Sequence, residues 1–234
     1  MATNKKHFII FICDEINNEF LMIIRSIILL LIFVSQLKAI SDEFIFKQFT
    51  DSDGLSQSTI FETIQDKKGF LWFATIDGLN RYDGYEFRVY NNNPADSFSL
   101  SDNFISSLFE DSDGFIWVGT VNGYFNKYDR RTDKFTRYSV DDYLKVKNEP
   151  EPAYYDYPLA FSRNQVNTVT AIAEDNEGFL WICTWGDGII RFNKNTNTAV
   201  HLYHDVNFEQ GLNSNRITDI ILDINGDVWI TTFH

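Results

Sequence analysis

Apolar and polar residues alternate in short runs along most of the chain, and the runs recur as a unit. Four segments share one spacing: Asp, Gly three positions on, Trp three further, Thr three further. They are Asp66, Gly69, Trp72, Thr75; Asp111, Gly114, Trp117, Thr120; Asp175, Gly178, Trp181, Thr184; and Asp223, Gly226, Trp229, Thr232. A branched aliphatic stands six residues before each Asp (Ile60, Ile105, Val169, Ile217), and a small polar residue eight before it (Ser58, Asn103, Asn167, Asn215). The Asp-to-Asp intervals are 45, 64 and 48, so the second holds an insertion of about 18 residues. Each unit predicts four short strands. The first runs up to the Asp and the second holds the Trp, as in Phe70 to Thr75. A Gly turn at Gly78, Gly123 or Gly188 leads to the third, and a polar turn to the fourth. In the Asp-x-x-Gly turn, Asp caps its own backbone and Gly takes the positive φ. No sustained helical period follows residue 41.

A period near 45 residues with four strands and one Trp predicts an all-β fold of β-propeller blades. A four-stranded sheet cannot bury both faces alone, so neighbouring blades must cover its aromatics. The aromatic content agrees: 22 Phe, 11 Tyr and 5 Trp, 16% of the chain. The residue before each Thr is small (Ala74, Gly119, Cys183, Thr231), which places it on the tight side of a wedge. The blades are expected at about 55–90, 100–139, 163–204 and 212–234, within a partial propeller over 42–234, with an insertion at 140–161. The fourth unit stops after its second strand, so the reading is about three and a half blades. Glu43 to Phe49 reads as a stray fourth strand of the kind that closes a ring.

The first 41 residues differ. A basic start near Arg25, the apolar run Ile27 to Val34 and the small-x-small end Ala39, Ser41 describe a secretory signal helix; an uncleaved anchor is the alternative. Residues 1–21 fit neither, and read as an over-called start ahead of Met22. The chain has 20 Lys+Arg against 33 Asp+Glu, net −13, which argues against nucleic-acid partners. Of the two cysteines, Cys13 falls in the signal segment, leaving Cys183 without a disulfide partner and suited to a small buried site.

Candidate chemistry gathers on the face that carries the inter-blade connections and the turns between second and third strands. The turn Trp185-Gly186-Asp187-Gly188 holds the one Trp outside the repeat. The insertion carries Tyr154, Tyr155 and Tyr157 among carboxylates. Aromatic rings beside carboxylates and amides suit a sugar, whose apolar face stacks while its hydroxyls bond. Trp185 packing on the next blade is the alternative. Asn103, Asn167, Asn215 and Arg216 start innermost strands and either line the channel mouth or cap the inter-blade turns. His201 and His204, three apart on a strand, point to opposite faces and read as solvated rather than as co-ligands. No nucleophile elbow, zinc-protease motif or phosphate loop is present, and the Asp-rich turns lack the closing Glu of a calcium loop. No catalytic residue, metal or cofactor is assigned.

The run Gly54-Leu55-Ser56, Ile60, Asp66, Gly69, Phe70-Leu71-Trp72, Thr75 and Gly78-Leu79-Asn80-Arg81-Tyr82-Asp83-Gly84 resembles the two-component-regulator propeller repeat. The resemblance covers roughly 44–234 in four copies. It implies the periplasmic sensor region of a hybrid two-component histidine kinase, with further blades, a β-sandwich, a membrane span and a kinase downstream. It also implies glycan fragments as ligands. On that reading the chain is an N-terminal fragment, truncated before the kinase and without an activity of its own. Its partner would be a small carbohydrate or other small molecule. Membrane contact would come only through the signal segment or a downstream span, and homodimerisation is left open for the full-length protein. The alternative is a secreted propeller enzyme, such as a lyase, working at the channel mouth.

Overall fold

The structure, a computed structural model, describes residues 22–28, 46–145, 167–205 and 211–233. The chain divides into two units, Met1–Lys47 and Gln48–His234. In the first, 22–28 is helical, and no helix among the described residues is long and apolar enough to cross a membrane.

The second unit is all β. Ile60–Gln65 (β1), Leu71–Thr75 (β2), Gly78–Tyr82 (β3) and Phe87–Tyr90 (β4) form one antiparallel sheet in chain order. Ile105–Glu110 (β5), Ile116–Thr120 (β6), Tyr124–Asp129 (β7) and Lys134–Ser139 (β8) form the second. Val169–Glu174 (β9), Phe179–Thr184 (β10), Ile189–Asn193 (β11) and Thr198–Leu202 (β12) form the third. Ile217–Leu222 (β13) and Val228–Thr232 (β14) pair as the fourth. The first strand of each sheet lies beside the first strand of the next: β1 by β5, β5 by β9, β9 by β13. The sheets therefore fan out from one line of inner strands, as propeller blades do, rather than stacking as a two-layer sandwich.

The repeat residues have one job each, and the jobs recur. The Asp carboxylate holds its turn through backbone N–H groups and also accepts the Trp indole N–H. The Asp66 to Trp72 bond is 2.6 Å, Asp111 to Trp117 2.8 Å, Asp175 to Trp181 2.9 Å and Asp223 to Trp229 3.3 Å. The i to i+6 spacing thus fixes the ring as well as the turn. In the first three sheets the Thr Oγ1 donates across the next turn, to the carbonyl of Gly78, Tyr124 or Gly188. Gly78 shows why a side chain is excluded there: φ is +103°, and a Cβ would lie 2.6 Å from the Tyr90 carbonyl oxygen.

Hydrophobic clusters fill the seams between sheets. Trp72 packs 5.3 Å from Tyr128, and Trp117 lies 6.1 Å from Phe192, so β7–β8 and β11–β12 each cover the Trp of the sheet before. Both tryptophans are fully buried. In the first three sheets the small position before the Thr meets the next inner strand: a Cβ on Gly119 would stand 2.6 Å from Val169 Cγ1. Cys183 packs with Ile217 in the third seam, and burial pushes its thiol pKa well up, with Asp219 adding to the shift.

Charged groups tie the first two seams at the end bearing the Asp-x-x-Gly turns. Arg130 Nη1 reaches Asp66 across the seam at 2.7 Å, while its Nη2 pairs with Glu110 at 2.9 Å. Glu110 in turn accepts the Lys67 N–H at 2.7 Å. Lys194 repeats the pattern one sheet on. It pairs with Asp113 at 2.7 Å and lies 3.4 Å from Asp111, and it also pairs with Glu174, which accepts the Ser112 N–H. Burial would lower the Lys194 pKa, but its bonds to Asp113 and Glu174 and the charge of Asp111 outweigh it and raise the pKa.

One local expectation is corrected. The described part of Glu43 to Phe49, from 46 on, holds no strand. Phe49 instead packs its ring on Tyr82 (4.9 Å) and Phe87 (5.3 Å), so side-chain packing rather than a ladder seats it.

Candidate functional site

Trp185, Asp187, Asn215 and Arg216 come together at the seam of the third and fourth sheets. The β10–β11 turn is held by Thr184, whose Oγ1 accepts the Asp187 N–H at 2.9 Å. The Gly188 N–H donates to the Asn215 carbonyl at 3.0 Å, joining the turn to the connection before β13. The Trp185 ring lies 5.6 Å from Phe233, whose N–H donates to the Arg216 carbonyl. Trp185 therefore packs on the neighbouring sheet and remains half-buried, while Asp187 is buried.

The asparagines recur at equivalent seams. Asn103 Oδ1 accepts the Asn92 N–H at 2.6 Å and its carbonyl accepts the Gly78 N–H at 2.7 Å. Asn215 Oδ1 accepts the His204 N–H at 2.6 Å in the same way. Asn167 lies against Gly123, where a Cβ would come within 2.3 Å of its Nδ2. These side chains tie the end of one sheet to the start of the next, a capping role for a short polar residue. Tyr154, Tyr155 and Tyr157 lie outside the described residues.

His201 is not solvated, as its alternation on β12 had implied. It is buried beneath the start of the insertion, where its Nδ1 accepts the Lys145 N–H at 3.1 Å. Its Nε2 then carries the proton and donates to the Asp187 carbonyl at 2.6 Å, which makes the ring a neutral brace for the β10–β11 turn. His204 lies beyond the strand, with Nδ1 on the Leu212 carbonyl. Among the described residues no group of three or more His, Cys, Asp or Glu is placed to hold a metal.

Sequence reasoning missed the cavity between the inner strands. It has a volume of about 540 Å³ and is lined from β1, β5, β9 and β13, with Glu62, Glu110, Glu174 and Asp219 on its wall. Glu62 reaches across the first seam to accept the Leu108 N–H at 2.6 Å. Burial raises its pKa to about 7; the Leu108 bond opposes the shift and the Asp219 charge adds to it. A signal was available, since Glu62 and Asp219 occupy one repeat position, four before the Asp, where the second and third repeats carry Ser107 and Ala171.

Three segments, 99–122, 165–186 and 211–234, match the family model described as two component regulator propeller. Each matched segment takes in the first two strands of its sheet. A stretch of 72 residues is 51% identical to Histidine kinase P4 of Formosa agariphila, covering 31% of this chain and 5% of that kinase. The extracellular domain of a hybrid two component system from B. thetaiotaomicron has the same fold, with a TM-score of 0.62 and 24% identity, over 82% of this chain and 23% of that one. Virginiamycin B lyase from Staphylococcus aureus shares the fold at a TM-score of 0.55 and 17% identity, over 82% of this chain and 55% of the lyase. The chain thus spans a small part of the kinase and of the extracellular domain it resembles.

Proposed function

We propose that the chain is the ligand-sensing propeller region of a hybrid two-component signalling protein, acting outside the cytoplasm, in the periplasm, on small carbohydrates. The observation that carries the reading is the 72-residue stretch, half identical to a histidine kinase, lying within a chain of regulator-propeller repeats. The shared fold of an extracellular receptor domain supports the location. The half-buried Trp185, beside Asn215 and Arg216, supports the ligand class, because an indole face and neighbouring polar groups are what a pyranose ring uses. Kinase chemistry would lie in other parts of such a protein. This region would bias their arrangement by binding one conformation better than another.

Calorimetric titration of the chain with a panel of oligosaccharides tests the proposal. One saccharide class is expected to bind, and Trp185→Ala to weaken it by about tenfold, the loss of about 1.4 kcal/mol. Absence of any binder overturns the carbohydrate reading. Binding that ignores Trp185→Ala overturns the site.

A further inference from the structure

His201 and Arg137 stand at one ladder position of successive sheets, opposite Ile190 and Asn126. Each grips the connection that leaves the sheet before its own. Arg137 donates to the carbonyls of Asp96, Ser99 and Leu100 at 2.8 to 2.9 Å, and His201 accepts the Lys145 N–H. His201 does one thing more. Its Nε2 donates to the Asp187 carbonyl in the turn that carries Trp185, whereas among the described residues Arg137 makes no bond to the corresponding turn at Asn122 and Gly123. A tie present in the first two sheets is replaced at the same place. Asn80 and Asn126 accept the Ser56 and Ser101 N–H groups at 2.9 and 3.1 Å, fixing the third strand to the segment before the first. β11 has Ile190 at that position, and the imidazole opposite it supplies a polar link.

We propose that His201 is a positioning residue of the Trp185 site, coupling the seating of 140–145 to the placement of the Trp185 turn. The inference rests on the reading of Trp185 as the ring that stacks on a ligand, and it adds a regulating element to that site. His201 is 4% exposed and Asp187 2%, so water does not stand in for either bond. A neutral imidazole accepts at one nitrogen while it donates at the other, so the two partners together hold a single ring orientation. The far side of the connection is seated by apolar contacts. Val140 is fully buried, and the Tyr143 ring lies 6.0 Å from Phe125 and 5.4 Å from Phe192. Shifting 140–145 therefore either strips the Lys145 bond from a buried ring or turns that ring and draws the Asp187 carbonyl with it.

The test reads the full chain labelled with 5-fluorotryptophan, with no saccharide present; Trp185→Phe and Trp72→Phe assign the two fluorine signals. Lys145→Pro removes the N–H, and Leu144 before it is already extended (φ −76°, ψ 130°), as a following Pro requires. It is expected to shift the Trp185 signal and to leave that of Trp72, in another seam, in place. His201→Asn keeps an oxygen close to the Nδ1 position but ends short of Asp187, and is expected to shift the Trp185 signal by itself. In that background Lys145→Pro is expected to add no further Trp185 shift, since the link it acts through is gone. A Trp185 signal unmoved by Lys145→Pro in the parent overturns the proposal. Two shifts that add in the double variant overturn it too, because a merely structural brace would respond to each loss independently. Should Lys145→Pro move the Trp72 signal, Tyr143→Ala, which loosens the connection through packing alone, replaces it under the same two criteria. Failure here leaves the carbohydrate reading to its own titration, and a saccharide panel without a binder leaves these shifts as they stand.

Discussion

The first two seams and the third are built from the same repeat, yet they are held differently. At the seam of sheets one and two, Asp66 is fully buried and Arg130 nearly so, and the guanidinium spans two carboxylates on two sheets. At the third seam Asp175 pairs instead with Arg191 of its own sheet, at 2.6 Å, and Leu222 takes the place held by Glu110 and Glu174. Trp181 is half-buried there, while Trp72 and Trp117 are sealed. The two sealed rings lie under sheets of four strands and beneath cross-seam cations, whereas Trp181 lies against the two strands β13 and β14 and its Asp pairs within its own sheet. A following sheet that lays two outer strands over the Trp also removes water from the carboxylate beneath it, and a charge in that setting needs a partner. Apolar cover and charge latch therefore act as one device, written into a single repeat.

The largest effect expected is on the sealed ring. Trp72→Ala should destabilise the propeller by about 4 kcal/mol, from lost burial plus the cavity left behind. Trp229→Ala, at an exposed ring, should cost less than about 1 kcal/mol. Denaturant midpoints of the two variants check the contrast, and equal losses would break it. Next comes the latch. Arg130→Met should cost about 3 kcal/mol, because Asp66 and Glu110 are left buried without their cation. Lys194→Met should do the same at the second seam, and a chemical-melt series on both variants measures it.

The cavity supplies a pH-dependent counterpart. The folded-state pKa of Glu62 is raised from 4.5 to about 7, so the folded protein binds the extra proton between those values. Stability from this group is fully present below the unfolded pKa and is lost as pH rises through the folded one. The span corresponds to at most about 3 kcal/mol between pH 4 and pH 8. Glu62→Gln keeps an acceptor for the Leu108 N–H and removes the charge. It should raise the melting temperature at pH 8 and leave it nearly unchanged at pH 4. A variant curve parallel to that of the parent across this range would refute the assignment.

Much of this was legible in the sequence because it is local and repeated. The Asp, Gly, Trp and Thr positions predicted four units of antiparallel strands, and the sheets of four, four, four and two strands follow them. The small residue before each Thr pointed to the tight side of the wedge, where Gly119 meets Val169. What could not be read was long-range. His201 is a neutral brace because Lys145 and Asp187, remote in sequence, supply its partners. Glu62 titrates high because four inner strands enclose it. The latch lay between these cases. The Glu one before the Asp and the cation 19 after it recur, but their meaning depends on which sheet they touch, and spacing within one unit says nothing of the neighbour.

The smallest effect sharpens the comparison most, since it asks whether the third seam is a weaker latch or no latch. Burial would raise the Asp175 pKa, but the Trp181 indole, the Phe179 N–H and Arg191 together hold it below the usual carboxylate value. A depressed folded-state pKa gives stability that is present at neutral pH and lost as pH falls through it. Arg191→Ala removes one of those three supports and also strips the guanidinium stacked 3.9 Å over Phe179. Arg191 is 26% exposed and its second partner, Glu177, 72%, so solvent screens the pairs, and the loss should be below about 1 kcal/mol. That loss should shrink further in 1 M salt, where exposed charges are screened within about 3 Å. The loss in Arg130→Met should persist there, because its carboxylates are shielded from the added ions. Measuring both variants at low and high salt separates the two kinds of seam. If Arg191→Ala were as costly and as salt-insensitive as Arg130→Met, the pair within the third sheet would hold its carboxylate as firmly as the cross-seam latch, and the distinction between the two kinds of pairing would fall.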